Sequence, residues 1–177
     1  MVNLKKCFSL LVVMASAILA ISLLSACAEQ EVGNQASQEA AAPRVSEHLT
    51  VYKSPTCGCC GEWVEHVEAA GFRSTTEHPE DLSGLKDKLG VPQNLRSCHT
   101  AVSKQGYVFE GHIPARYIQA FLENPPKDSL GLSVPGMPVG SPGMEVDDKF
   151  MPYKVFSLQA DGSTEVYASI DSPDMQY

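Results

Sequence analysis

Three cysteines occur within four residues, in the segment Cys57-Gly58-Cys59-Cys60. The apolar stretch before this segment predicts a short strand, and the apolar spacing after it predicts a helix. Thiols at such a turn are poorly placed to cross-link distant parts of a chain. They are well placed for metal binding or redox chemistry, because free N–H groups and the dipole at a helix start lower a thiol pKa. The turn therefore requires a strand to end and a helix to begin within a few residues.

The N-terminus has the pattern of a secretory signal. Two lysines precede an apolar stretch over residues 10–24, which is short for a membrane-spanning helix. The segment Leu24-Ser25-Ala26-Cys27 resembles the lipobox of bacterial lipoproteins, in which the cysteine becomes the lipidated first residue. We therefore predict a signal peptide at residues 1–26 and a lipid anchor at Cys27. Because alanine rather than aspartate follows Cys27, we expect attachment to the outer membrane, on its periplasmic side.

Composition divides the rest of the chain into a tether and a domain. Residues 27–46 are rich in Gln, Glu, Ala and Ser, so we predict a lipidated N-terminus followed by a disordered tether. Residues 47–177 are enough for one metal-binding domain with its own core. Loss of Lys5 and Lys6 with the signal changes the net charge from −8 to −10. This charge argues against nucleic acid and against an anionic membrane surface as partners.

Four of the six cysteines remain in the predicted domain. Cys7 is removed with the signal and Cys27 carries lipid, which leaves Cys57, Cys59, Cys60 and Cys98. Four thiols in an oxidising compartment usually suggest two disulfides. Adjacent cysteines are badly placed for that, and within the turn Cys57–Cys60 is the only familiar pairing. The pattern favours a functional cluster.

The order of predicted elements indicates an α/β fold with a thioredoxin-like β-α-β-α-β-β-α core. Strands are predicted at residues 49–52, 72–76, 100–103 and 107–110, and helices at residues 61–70, 79–89 and 114–123. A Gly/Pro/Met-containing loop and a C-terminal β-hairpin, with strands at residues 153–158 and 164–169, complete the domain. In this topology strands one and two are parallel, strand three is antiparallel to strand one, and strand four is antiparallel to strand three. Cys98, His99 and His112 should therefore converge on the cysteine turn.

Four motifs resemble the CopG-type periplasmic copper-resistance proteins. They are the cysteine turn at residues 52–60 and the segments Ser97-Cys98-His99-Thr100-Ala101, Glu110-Gly111-His112-Ile113-Pro114-Ala115 and Pro135-Gly136-Met137-Pro138-Val139-Gly140-Ser141-Pro142-Gly143-Met144-Glu145. The resemblance covers residues 49–155. It implies a thioredoxin-like metal-binding domain that acts in copper tolerance, with copper as the metal.

The residue types agree with a soft metal. Copper(I) prefers thiolate and thioether ligands and accepts imidazole. We therefore expect the metal ligands to come from Cys57, Cys59, Cys60, Cys98, His112, Met137 and Met144. The methionines could instead be hydrophobic plugs that pack a loop onto the domain. His99 stays outside the set, because neighbouring residues in a regular strand point to opposite faces.

Crowded thiolates favour sulfur bridging, so more than one copper ion per chain is compatible with the pattern. Zinc is the competing metal, but structural zinc sites usually show two spaced ligand pairs in a closed tetrahedron. Of the other histidines, His48 and His78 are expected at the surface. His66 is expected to pair with Glu62 one helical turn away.

A rival function is thiol–disulfide exchange by the Cys57/Cys60 pair, with Cys57 as the attacking thiol. Enzymes of that type place a cis-proline at the start of strand three, where this chain has Cys98. A third alternative combines both chemistries: the thiols change the oxidation state of copper, or the chain passes copper to a partner copper-handling protein. The sequence leaves enzyme activity open.

Overall fold

The computed structural model describes residues 47–177, so the predictions for the signal, Cys27 and the tether lie outside the described residues. This part has three helices, α1 (Gly58–Ala69), α2 (Leu82–Lys88) and α3 (Ala115–Glu123). It has seven strands: β1 (His48–Lys53), β2 (Arg73–Glu77), β3 (His99–Ser103), β4 (Val108–Glu110), β5 (Ser129–Ser133), β6 (Tyr153–Gln159) and β7 (Thr164–Ile170). None of the described helices is long and apolar enough to span a membrane.

All seven strands form one sheet in the order β2-β1-β3-β4-β5-β6-β7. As predicted, β1 and β2 are parallel, β3 is antiparallel to β1, and β4 is antiparallel to β3. The α/β class is thus confirmed, whereas the thioredoxin-like character of the core stays a prediction. The strand directions bring the end of β1, the start of β3 and the end of β4 to one edge.

The first helix begins earlier than predicted. It starts at Gly58 rather than Gly61, so Cys59 and Cys60 lie in its first turn and Cys57 is the N-cap residue. Its end agrees with the prediction, because Gly71 adopts a left-handed conformation (φ 100°). The N–H groups of Gly71 and Phe72 donate to Glu68 and Val67, the hydrogen bonds of a Schellman motif.

The second helix is shorter than predicted. It begins at Leu82 and not at Pro79, because the carboxylate of Asp81 accepts a hydrogen bond from Gly84 N at 2.8 Å and caps the first turn. Its leucines are half-buried, and its buried residue is Lys86.

Strand β5 corrects the prediction of a continuous loop after α3. It pairs in parallel with β4 and antiparallel with β6, so the C-terminal hairpin β6–β7 extends the main sheet. The strand contains Gly131, where a Cβ atom would lie 1.8 Å from the carbonyl oxygen of Val108. Only glycine permits this close approach of the two backbones.

One buried apolar cluster joins α1 and α3 to the sheet. Its members include Trp63, Phe109, Ile118, Phe121, Leu132, Val155 and Ile170. Trp63 also donates from its indole Nε1 to the carbonyl oxygen of Ile113 at 2.9 Å. This hydrogen bond ties α1 to the segment after β4, which carries His112.

Candidate metal centre

The four cysteines of the domain meet at the edge where β1 ends. The sulfur atoms of Cys57, Cys59, Cys60 and Cys98 all lie within 4.8 Å of one another. Three come from the start of α1, and the fourth comes from the residue before β3. The convergence predicted from strand order is therefore observed.

Two of these cysteines form a disulfide. Cys57 is bonded to Cys60, whereas Cys59 and Cys98 are free. The free thiols lie beside the bridge, with Cys59 Sγ 3.6 Å from Cys57 Sγ and Cys98 Sγ 3.3 Å from Cys60 Sγ. Addition of two electrons and two protons to the disulfide would therefore give a cluster of four thiols.

The thiol of Cys98 is held in its protonated form. Burial, followed by the neighbouring Cys59, raises the pKa of Cys98 to about 11. Burial disfavours the thiolate because a charge loses its hydration there, and a second thiolate nearby adds repulsion. A bound soft cation would reverse both effects, so metal binding would displace the proton.

His112 presents one ring nitrogen to the cluster. Its Nδ1 lies 2.8 Å from the carbonyl oxygen of Pro142, which can only accept, so Nδ1 carries the hydrogen. The free Nε2 faces Cys98 Sγ at 3.1 Å. Burial lowers the pKa of His112 and favours the neutral ring. The predicted candidate thus has the tautomer and protonation state of a metal ligand.

His99 reaches the same cluster, contrary to the expectation from strand alternation. Because β3 begins at His99, Cys98 lies outside the regular strand, and His99 Nδ1 is 3.4 Å from Cys98 Sγ. Cys98, His99 and His112 form a second group whose ligand atoms lie within 4.8 Å of one another. The topology placed His99 at this edge, but the direction of its side chain depends on where β3 starts.

The imidazole of His99 is completely buried and stays neutral. Its ring centroid lies 4.3 Å from that of Trp63 and 5.0 Å from that of His112. Burial, together with the charges of His112, Lys86 and Lys53, lowers the pKa of His99. Among the described residues, its Nε2 is one of two buried side-chain polar atoms without a hydrogen-bond partner.

The loop after β5 covers the cysteine turn. Gly143 lies against the first turns of α1, where a Cβ atom would be 2.7 Å from the carbonyl oxygen of Cys59. Earlier in the loop, Gly136 N donates to the carbonyl oxygen of Arg96 at 3.1 Å, and the hydroxyl of Ser97 donates to Gly136 O. Met144 and Met137 directly follow these two glycines. Met137 is about half exposed and Met144 is half-buried, and their role as ligands stays a prediction.

A buried ion pair lies next to the Cys98 segment and was not anticipated from the sequence. Lys86 of α2 forms a salt bridge with Glu110 at the end of β4, and both side chains are almost fully buried. The only sequence feature that points to a buried charge is the carboxylate of Glu110, which follows the apolar residues Val108 and Phe109 at the end of the predicted strand. Lysine on a short helix gives no such signal.

The remaining histidines lie outside the cluster. His66 does not take Glu62 as its partner; its Nε2 accepts a hydrogen bond from Ala115 N at 2.9 Å, at the start of α3. His78 is exposed and His48 is half-buried, each with a hydrogen bond to a neighbouring strand. The expectation that these two lie at the surface agrees with the structure.

Comparison with known proteins gives one family match and two similar solved structures. A family model described as "Protein of unknown function, DUF411" matches residues 95–144, which include Cys98, His112 and the loop methionines Met137 and Met144. Among curated proteins, no sequence matches. Two solved structures, "Copper resistance protein copG- Form 1" and "Form 2", match at 42% and 43% identity, each with a TM-score of 0.66. The matches cover 71% and 70% of this chain and 98% of each of those chains. At this identity and coverage, the chain belongs to the CopG family of copper resistance proteins.

Proposed function

We propose that this protein acts in copper tolerance and binds copper(I) through Cys57, Cys59, Cys60 and Cys98. The observation that carries the proposal is the meeting of four cysteine sulfurs, from two distant segments, within 4.8 Å. Sulfur donors in such density favour a soft cation, and imidazole is an acceptable additional ligand. The relatives named copper resistance proteins support copper as that cation.

The chain prepares the cluster for metal in three ways. The Cys57–Cys60 disulfide, once an external thiol reductant has supplied two electrons and two protons, adds two thiols to the two that are already free. The carbonyl of Pro142 orients His112 so that a lone pair faces Cys98. His99 offers a second neutral imidazole, and the loop methionines offer thioethers. With so many donors around adjacent thiolates, we infer that more than one copper ion is bound.

The same thiols can act as electron donors. Oxidation of two thiolates to the Cys57–Cys60 disulfide releases two electrons, enough to reduce two copper(II) ions to copper(I). Cys59 and Cys98 remain half-buried and free in the disulfide form, so sulfur stays available to hold the product. Copper(I) held by Cys59 and Cys98 would then be available for transfer to a partner copper-handling protein.

The disulfide also favours a second candidate function, thiol–disulfide exchange. Cys57 and Cys60 form a bridge at the N-terminus of α1, the arrangement that lowers a thiol pKa in such enzymes. Two-thiol exchange has no use for Cys59, Cys98 or His112, yet all three lie in the cluster. Copper binding uses all of these residues, which is why we prefer it.

One pair of assays on the same samples separates the two functions. Copper(I) affinity is measured anaerobically on fully reduced protein with a competing chelator, and disulfide reductase turnover is measured in parallel. For Cys59→Ser and Cys98→Ser we expect the copper affinity to fall by at least about tenfold, because each removes a thiolate donor. Reductase turnover of the parent should be low.

Strong reductase activity that survives Cys59→Ser, together with unchanged copper binding, would contradict the proposal. A titration with zinc in place of copper is the matched control. We expect the protein to bind more copper(I) ions than zinc ions and to bind copper(I) more tightly than zinc.

We also propose that the protein works on the periplasmic side of the outer membrane, where a lipid on Cys27 holds it. The lipobox-like segment before Cys27 supports this proposal, and a tether at residues 28–46 would let the domain stay near the membrane surface.

A further inference from the structure

Glu110 and Lys86 bury two opposite charges beside the candidate metal centre. Glu110 is fully buried at the end of β4, and Lys86 is 4% exposed on α2. A buried ion pair contributes little net stability, because the loss of hydration offsets the attraction between the charges. Stability alone therefore does not explain why two charges lie here in place of two apolar side chains.

The pair holds the peptide groups on both sides of Ser97. Oxygen Oε1 of Glu110 accepts from the backbone N–H of Ser97 at 2.6 Å, and Lys86 Nζ donates to the carbonyl oxygen of Ser97 at 2.9 Å. The other carboxylate oxygen accepts from the hydroxyl of Thr100 at 2.6 Å. Cys98 therefore lies between Ser97 and Thr100, the two residues that the ion pair holds by hydrogen bonds.

The backbone of Cys98 needs such support because it lies outside the regular sheet. Strand β3 begins at His99, and its last backbone hydrogen bond to the β4 side joins Gly111 N to His99 O at 3.0 Å. Beyond this bond, the segment that carries Cys98 is held by its hydrogen bonds to the ion pair and to Gly136 of the loop. The sulfur that it positions lies 3.3 Å from Cys60 Sγ and 3.1 Å from His112 Nε2.

We propose that Lys86 and Glu110 are positioning residues that fix Cys98 in the sulfur cluster and thereby set the affinity of the site for a soft metal ion. The effect on metal affinity rests on the proposed copper function. The effect on the position of Cys98 does not depend on the copper function, and it is measurable without metal.

The test combines a metal-free readout with a copper readout. Metal-free protein with the Cys57–Cys60 disulfide intact is treated with iodoacetamide, and trypsin then separates Cys98 in residues 97–104 from Cys59 in residues 54–73. In Glu110→Gln we expect Cys98 to be alkylated about tenfold faster and Cys59 at the parental rate. We expect copper(I) affinity of reduced protein to fall by about 10–100-fold, as for other residues that orient metal ligands.

A second variant covers the case in which Glu110→Gln leaves Lys86 buried without a partner and prevents folding. Lys86→Met/Glu110→Leu removes both charges, so folding should survive while the hydrogen bonds to Ser97 are lost. It should show the same changes at Cys98. Leu158→Ala, a core change three strands away from β3, controls for general destabilisation and should alter neither readout by more than about twofold.

A folded double variant that keeps the parental alkylation rate of Cys98 would overturn the proposal, as would faster alkylation with unchanged copper affinity. If the parent itself binds no copper, the proposed function fails, and the alkylation rates alone decide whether the pair positions Cys98.

Discussion

The thiol of Cys98 is the residue on which burial, neighbouring sulfur and backbone support all act. Burial and Cys59 raise its pKa to about 11, while the neighbouring Ser97 hydroxyl, whose oxygen lies 3.9 Å from the Cys98 sulfur, acts in the opposite direction. The net result is a protonated thiol inside a group of potential ligands. Such a thiol reacts slowly with electrophiles at neutral pH, because only the small thiolate fraction is the nucleophile.

This protonation predicts a distinct pH dependence for Cys98. With the Cys57–Cys60 disulfide intact, the alkylation rate of Cys98 should rise about tenfold per pH unit up to roughly pH 11. In Cys59→Ser the rate at pH 8 should increase, because a cause of the raised pKa is removed. Peptide mass spectrometry at several pH values measures both rates. A Cys98 rate that is already constant above pH 8 would contradict this prediction.

At the scale of elements, α1 and α3 are joined by two side-chain hydrogen bonds of different kinds. His66 of α1 accepts from Ala115 N at the start of α3, and Gln119 of α3 donates to the carbonyl oxygen of Ala70 at 2.9 Å. Only the first involves a titratable group. Burial lowers the pKa of His66, because the charged imidazolium is disfavoured there and could not accept the hydrogen bond.

The junction therefore predicts weaker folding in acid. A pKa lowered in the folded state means that the unfolded chain binds a proton first, so stability is present above about pH 6.5 and is lost as the pH falls through the lowered value. His66→Gln keeps an acceptor for Ala115 N but cannot titrate. Its free energy of unfolding, measured with urea between pH 5 and 8, should decrease less steeply than that of the parent as the pH is lowered.

The free energy of unfolding of His66→Gln should still depend on pH, because burial also lowers the pKa values of His99 and His112. Gln119→Ala serves as the control: it should lower the stability by about 1 kcal/mol at every pH. An unchanged slope in His66→Gln would show that the junction does not titrate.

Periodicity and strand order predicted much of this architecture, and the failures have local causes. Helix α1 and the hairpin β6–β7 follow from apolar spacing and turn residues. Strand β5 was missed because Gly131 gives no strand signal, and its need for glycine arises only from the close approach of Val108. The cysteine turn was recognised from its spacing, and strand order predicted that Cys98 lies beside it. Lys86 was not predicted, because its partner Glu110 is 24 residues away and lysine is usually exposed.

At the scale of the whole molecule, the described residues supply every strand of the sheet and every side chain of the cluster. The beginning and end of this part are both anchored. Glu47 accepts hydrogen bonds from Arg73 N and Lys104 N, and Gln176 donates to Gly140 O and accepts from the hydroxyl of Tyr153. The anchoring of Gly140 also supports the loop that covers the cysteine turn.

We therefore predict that the lipid anchor and the metal centre are separable. A chain that begins at Ser46 should be soluble, fold cooperatively and bind copper(I) with the affinity of the full-length protein. Mass spectrometry of the full-length mature protein should find acyl chains on Cys27, and Cys27→Ser should lose them while it keeps copper binding. A mature N-terminus at another residue, or loss of copper binding on truncation, would contradict the prediction.

The backbone hydrogen bond between Gly111 and His99 affects the entropy of metal binding by Cys98 and His112. Cys98 directly precedes this pair and His112 directly follows it, so two donors are carried by adjacent positions at the end of one antiparallel ladder. Their separation is fixed once the sheet has formed and Lys86 and Glu110 have bonded to Ser97, and the conformational entropy that they lose is a cost of folding and not of binding. Metal capture by these two donors should therefore carry little ordering entropy, unlike capture by donors on a free peptide of the same composition.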